Sequence, residues 1–237
     1  GTADFALATS HLYAGTMTSA SSNTAVYDET HDLFRQSFRS FVAAEMAPHV
    51  DQWERDGIMD RRVYSKAGEH GFVGMAIPEE HGGGGTKDFR FNAIVADELA
   101  SANIGGGGLG LTLHNDITTP YFIEYCNAEQ AARWLPGIAS GELITAIAMT
   151  EPGTGSDLAS VATSAVRDGD EYVISGRKWF ASNASHEQCA LIVVVGVTDA
   201  EAPKSKRQSL FLVPRHSEGI TFLRNLPVFD HMSETNL

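Results

Sequence analysis

Cysteine is scarce in this 237-residue sequence: only Cys126 and Cys189 occur, far apart and outside any Cys-x-x-Cys spacing. That excludes a disulfide scaffold, and both residues read as reduced packing residues of a cytosolic protein. Basic charge is also short, with 17 Lys and Arg against 30 Asp and Glu and a formal net charge of −13. A nucleic-acid or anionic-membrane surface needs a basic stripe, so neither partner is expected, although single cations can still hold an anionic cofactor. No run approaches the roughly 20 apolar residues of a membrane span. The nine histidines include no His-Glu-x-x-His pair and no Cys/His cluster, so no metal site is expected. The first 26 residues are rich in Ala, Ser and Thr and lack a basic stretch followed by an apolar one, so no secretory signal is expected there. Residues 1–27 are expected to form a mobile tail, within which Met17 is a possible natural start.

What is present is ample apolar material, 43% of residues, enough for one large core or two modest ones. From Asp28 onward Leu33, Phe34, Phe38, Phe41, Val42, Met46, Val50 and Trp53 recur at helical steps. Asp28 or Thr30 can cap this helix, and Pro48 breaks or kinks it. Further helices are expected over 61–69, 88–102 and 113–126, with a last short one capped by Asn127 that buries Ala131, Trp134, Leu135 and Ile138. After Gly141 the pattern changes to short β-branched runs at 143–149, 160–166, 171–175, 191–197, 209–213 and 220–222, with a tight turn at Arg167–Asp170. Helices followed by strands predict an α+β fold: a helical domain over 28–141, then an antiparallel β-domain over 142–237.

Several motifs match familiar chemistry without its context. Gly105-x-Gly107-x-x-Gly110 has dinucleotide-fingerprint spacing, but it follows a helix and no βαβ unit surrounds it, so a flexible connection is expected. Gly82–Gly85 lacks the Gly-Lys-[Ser/Thr] order of a phosphate loop. Ser175-Gly-Arg-Lys178 has Ser-x-x-Lys spacing in a strand turn, whereas that nucleophile motif needs a helix N-terminus. His114 and His186 stand alone, as surface or satisfied core histidines do.

Two strings call for a ligand. Ala146-Ile-Ala-Met-Thr-Glu-Pro-Gly-Thr-Gly-Ser-Asp157 leaves a strand for a glycine-rich loop, where the backbone can approach a ligand and successive N–H groups can form an anion-binding concavity. Gly176-Arg-Lys-Trp-Phe-Ala-Ser-Asn183 puts aromatic rings before a hydroxyl residue, which suits a flat heterocycle. These strings resemble two signature segments of the acyl-CoA dehydrogenase family. Pro78-Glu-Glu-His-Gly-Gly83 and Leu135-Pro-Gly-Ile-Ala-Ser-Gly-Glu142 are similar to its spacing elements, in the same order. The strands at 144–149 and 209–213 look more like long-chain members than short-chain ones.

The resemblance implies FAD as cofactor, a helical domain, a middle β-domain and a C-terminal helical bundle. It implies that Ile147, Ala148, Met149, Thr150, Phe180, Ala181 and Ser182 face the flavin, with Phe180 in place of the usual Trp and Ser182 in place of the commoner Thr. Ser156 would meet the FAD pyrophosphate and, with Gly155, the thioester arm of the acyl-CoA substrate. The family's catalytic glutamate lies in the C-terminal bundle, which has no counterpart after Phe222, and the β-domain is expected to be incomplete at its C-terminal end. No catalytic residue is therefore assigned here, and Glu151 is not taken as the base. The implied activity is dehydrogenation of an acyl-CoA to a trans-2-enoyl-CoA, with electrons passed to an electron-transfer flavoprotein. The isolated chain is expected to be inactive. The implied assembly is a homo-oligomer, in the cytoplasm or in the mitochondrial matrix of a eukaryote. The alternatives are a non-catalytic acyl-CoA- or flavin-binding subunit completed by another chain, or a flavin monooxygenase or nitroalkane oxidase on the same fold.

Overall fold

A computed structural model of the chain describes residues 26–228 and 231–236, so most of the expected tail lies outside the described residues. Asp28, and not Thr30, caps the first helix: its carboxylate accepts from the amides of Thr30 and His31 at 3.0 and 3.3 Å. Helix α1 covers Glu29–Phe41, followed by a π turn at Val42–Met46, a 3-10 turn at Ala47–His49 that contains Pro48, and α2 at Val50–Asp56. Phe38, Phe41, Val42 and Met46 are buried as the periodicity predicts, but Leu33 faces solvent. Helices α3 (Arg62–Glu69) and α4 (Arg90–Ser101) pack on this face, and Phe38, Phe72, Val95 and Leu99 share one cluster. Buried Glu98 on α4 is matched from α1 by Arg35 Nη1 at 2.8 Å and Arg39 Nε at 2.7 Å. Those contacts explain a charged residue on a buried helix face.

The glycine-rich stretch expected to be a flexible connection is instead helix α5, Gly105–Thr112. Glycine disfavours helix by about 1 kcal/mol per residue, and close packing offsets that cost. A Cβ on Gly108 would lie 3.0 Å from the Leu99 methyl groups, and one on Gly110 would overlap the Tyr64 hydroxyl. A π turn (Leu113–Thr118) leads into α6 (Thr119–Tyr125), and α7 (Ala128–Ala139) begins at the expected Asn127 cap. There Asn127 and Gln130 exchange side-chain and backbone hydrogen bonds at 2.8 and 3.0 Å. No helix among the described residues is long and apolar enough to cross a membrane.

The strands are β1 (Ile144–Ala148), β2 (Ser164–Asp168), β3 (Glu171–Ser175), β4 (Cys189–Val197), β5 (Gln208–Pro214), β6 (Arg224–Val228) and β7 (His231–Asn236). The first five form one sheet, in the order β1-β4-β2-β3, with β5 also paired to β4. The sheet is mixed, which corrects the antiparallel expectation. The chain leaves β1, makes the β2–β3 hairpin, and returns along β1 so that β4 runs parallel to it. The hairpin turn falls where expected, with Asp168 opposite Glu171. The strand expected from residue 160 begins only at Ser164, because a 3-10 turn occupies Leu158–Ser160 and the next amides bond to a side chain. The strand expected at 220–222 is absent, and β6 pairs instead with β7.

Alternation along the sheet sorts its two faces. Leu191 and Val193 face α6 and α7, where they meet Phe122, Leu135 and Ile138. Ala146, Ala148 and Ile192 face the segment carrying Ala181 and Ala184. Helices and sheet are joined by the buried Thr118–Thr145 hydroxyl pair at 2.7 Å, and by Gly141, which lies between α7 and β1. Gly141 has φ 71° and sits directly on the Tyr64 carbonyl, where a Cβ would overlap it. Gly141→Ala is therefore expected to cost at least about 2 kcal/mol from left-handed backbone strain plus steric overlap, read as a lowered urea midpoint with an unchanged denaturant slope.

Candidate active site

The two ligand-suited strings meet just beyond the C-terminal end of β1, from where the second runs back along β1 toward the start of β4. Beyond β1, Thr150 O accepts from the Trp179 amide at 2.8 Å, and Met149 O accepts from Lys178 Nζ at 3.0 Å. Residues 149–150 and 178–179 thus run side by side. The next residue, Glu151, is 8% exposed and turns inward. Its Oε2 accepts from the Ala162 amide at 2.7 Å. Its Oε1 accepts from the Thr163 amide at 2.9 Å, the Thr163 hydroxyl at 2.5 Å and Lys178 Nζ at 2.9 Å. Burial pushes the Glu151 carboxyl up, but these donors outweigh it and hold the group down to about 2. Burial pulls the Lys178 ammonium below its usual value against the opposing pull of Glu151.

The glycine-rich loop that follows is closed by reciprocal backbone bonds between Glu151 and Thr154 at 2.9 and 3.0 Å. The Thr154 hydroxyl donates to Ser160 O at 3.1 Å, which ties the two ends of the loop together. Between them Gly155 and Ser156 are exposed, and a Cβ built on Gly155 would meet nothing within 4 Å. On the other segment Trp179 and Phe180 stack with ring centroids 5.0 Å apart and planes 12° from parallel. Phe180 is 45% exposed and holds a left-handed backbone, φ 55°. A large apolar ring held outward in a disfavoured conformation is the kind of strain that collects at ligand sites. The Trp179 indole N–H is buried without a partner among the described residues, and Ser182 beyond it is buried.

The expected site residues do not all present their side chains alike. Ala148 and Ala181 are fully buried against each other's cluster, so only their backbone is available to a ligand. The Ile147 side chain belongs to the opposite face, with Phe122 and Leu135. Met149 and Thr150 are half-buried, while Phe180, Gly155 and Ser156 are open to solvent. Lys178 and Asn183 belong to the quoted string but carry no expected role of their own, and Thr163 and Tyr64 are not singled out in the sequence at all. A lysine between a β-run and an aromatic pair was the one local signal for the first of these. The rest are brought in by the fold. The exposed aromatic face, the orphaned indole N–H and the open glycine loop together suit a flat heterocycle bearing phosphates.

A helical layer followed by a mixed sheet, with this loop and aromatic segment at one end, defines an α+β ligand-binding protein. Residues 28–142 match the acyl-CoA dehydrogenase N-terminal domain, and residues 146–232 match the acyl-CoA dehydrogenase middle domain. The chain belongs to the acyl-CoA dehydrogenase family. It is 40% identical over 202 residues to the mitochondrial long-chain specific acyl-CoA dehydrogenase of Mus musculus, covering 85% of this chain and 46% of that protein. The chain thus spans about half the length of this curated relative. The crystal structure of an acyl-CoA dehydrogenase from Geobacillus kaustophilus is 42% identical with a TM-score of 0.81, covering 89% of this chain and 55% of that one. An acyl-CoA dehydrogenase from Bacillus anthracis complexed with FAD is 26% identical with a TM-score of 0.78, covering 89% and 35% respectively.

The Glu151–Lys178 pair gives a stability prediction. Lys178→Met strands a carboxylate that is still held by Ala162 and Thr163, and is expected to cost about 3 kcal/mol. The Glu151→Gln, Lys178→Met double variant is expected to lose less than the sum of the single losses. Because the Glu151 carboxyl is lowered from 4.5 to about 2, its contribution is complete above pH 4.5 and fades as the pH falls toward 2. Denaturant titrations across that window are expected to show a shallower acid loss in Glu151→Gln than in the parent.

Proposed function

We propose that this chain supplies the flavin- and thioester-binding part of an FAD-dependent enzyme that dehydrogenates an acyl-CoA at Cα–Cβ to the trans-2-enoyl-CoA. The observation that carries this reading is the junction of Met149–Thr150 with Lys178–Trp179 beyond the end of β1, which joins an outward aromatic face, Phe180, to the strand that leads into an open glycine loop. FAD, when bound, supplies the two-electron acceptance that removes hydrogen from Cβ. In this reading Phe180 offers its ring to the flavin. The Ser182 hydroxyl donates a hydrogen bond to the ring edge, and the backbone of Ile147, Ala148, Met149, Thr150 and Ala181 lines the flavin. Gly155 and Ser156 receive the pyrophosphate and the thioester arm on a loop whose ends are already fixed, so little ordering remains to be done on binding.

Glu151 lies in the flavin loop but is unsuited to taking an α-proton. Its carboxylate accepts four hydrogen bonds and is held at about 2, far below the range of an effective base near neutral pH. Glu151 is therefore not assigned as the base, and the family resemblance favours a base in a C-terminal bundle. Residues 28–141 act as the helical domain and 142–237 as part of the middle β-domain. Similarity to the mouse enzyme favours a long-chain acyl-CoA. Electrons leave to an electron-transfer flavoprotein. The working form is a homo-oligomer, cytoplasmic or in the mitochondrial matrix.

The flavin absorbance of the whole FAD-loaded protein, titrated with acyl-CoAs of increasing chain length, tests this reading. Bleaching strongest with long-chain thioesters is expected, and absence of bleaching with any acyl-CoA would overturn it. The isolated 237-residue chain is expected to show no turnover of an acyl-CoA with an artificial electron acceptor. Turnover by that chain would place the base within it and refute the assignment above.

A further inference from the structure

The Phe180–Ser182 segment ends at Asn183, which shares the left-handed backbone of Phe180, with φ 68° against 55°. Two non-glycine residues in this region within four positions persist only where other contacts impose them. For Asn183 those contacts come from the helices. Its Oδ1 accepts from the Tyr64 hydroxyl on α3 at 3.1 Å, and its Nδ2 donates to Gly110 O on α5 at 3.3 Å. A longer contact, 3.5 Å, runs to Thr145 O on β1. Tyr64 is 1% exposed, and burial pushes its phenol above the ordinary value, so the hydroxyl stays protonated and donates. Gly110 fits for a steric reason, because a Cβ there would overlap the Tyr64 hydroxyl and lie 2.9 Å from Asn183 Oδ1. The last glycine of the apparent dinucleotide fingerprint thus has a use that involves no nucleotide at that loop.

We propose that Asn183 is a positioning residue, latched by Tyr64 and Gly110, through which the helical layer sets the orientation of Phe180 and Ser182 in the cofactor site. The inference rests on the flavin reading above. The Asn183 carbonyl also accepts from the His186 amide at 3.0 Å, and His186 Nε2 pairs with Met59 O at 3.2 Å, so the turn is held to the helices at a second point. Releasing the latch therefore leaves the chain path in place and frees mainly the residues before Asn183.

The test uses the whole FAD-loaded protein carrying Tyr64→Phe, Asn183→Gly, both together, or Asn183→Asp. Tyr64→Phe removes one oxygen, and Asn183→Gly keeps the left-handed turn without the side chain. Each is expected to weaken FAD binding about tenfold, to shift the flavin absorbance band, and to lower kcat with little change in KM for the acyl-CoA. The double variant is expected to be no worse than the weaker single one, because both remove the same hydrogen bond. Asn183→Asp keeps the acceptor for Tyr64 but turns an oxygen toward the Gly110 and Thr145 carbonyls, so it is expected to weaken FAD binding at least as much as Tyr64→Phe, and parent-like affinity would count against the Gly110 arm of the latch. In Tyr64→Phe without flavin, hydrogen exchange at the amides of 179–184 is expected to quicken while that of β4 is unchanged. Loss of stability with unmoved flavin spectrum, FAD affinity and loop exchange would make the latch a packing contact and overturn the proposal. If the parent protein takes up no FAD, the flavin reading fails, and loop exchange in Tyr64→Phe still decides the latch. If Asn183→Gly does not fold, the milder Tyr64→Phe carries the same comparison.

Discussion

Glu151 has to be kept ionised in a place with little access to water, and much of the ligand-facing end of the sheet is arranged around that requirement. Its carboxylate takes the amides of Ala162 and Thr163, which are thereby unavailable to a strand ladder, and β2 begins only afterwards. It takes Lys178 as counter-ion, and Lys178 reaches Met149 O as well. One buried charge thus anchors the end of β1, the far end of the glycine loop and the aromatic segment at once. Burying an ion pair gives little net stability, but removing either partner is costly. The arrangement is better understood as fixing one geometry than as adding strength.

Features governed by neighbours along the chain were legible in the sequence. Asp28 and Asn127 were recognisable as caps because a cap needs only the next three residues. The change from helices to strands near Gly141 and the turn at Gly169 were likewise local. The helical reading of Gly105–Thr112 was missed, because nothing nearby compensates glycine for its lost entropy. The compensation comes from Leu99, Tyr64 and Asn183, which lie elsewhere in the sequence. The parallel relation of β1 and β4 was missed for a similar reason, since strand composition carries no direction. The two ligand-suited strings stand out as strings, but the partners that hold them, Thr163 and Tyr64 among them, are ordinary residues until folding brings them near.

Family membership and local geometry support the same reading. The matched domains are the N-terminal and middle ones, over 28–142 and 146–232. Every device described at the site is suited to holding and orienting, through backbone amides, a hydroxyl, an aromatic face and a closed loop. The Glu151 carboxylate, lowered to about 2 and engaged by four donors, is suited to holding the site together.

The crossover between β1 and β4 also bears on how the site comes into being. The β2–β3 hairpin pairs residues close in sequence, whereas β1–β4 pairing joins Ile144 to Cys189 across the intervening loop and hairpin. Closing so long a stretch costs entropy before any contact rewards it, so such pairings form late and slowly. Both ligand-suited segments, at 149–157 and 178–182, lie within the stretch that this pairing closes. During synthesis the helical layer and the hairpin can be complete while the site is still open, with Phe180 and the edge of β1 uncovered. That interval is when the nascent protein is most exposed to mispairing with other chains, and a ligand that bridges both segments would shorten it.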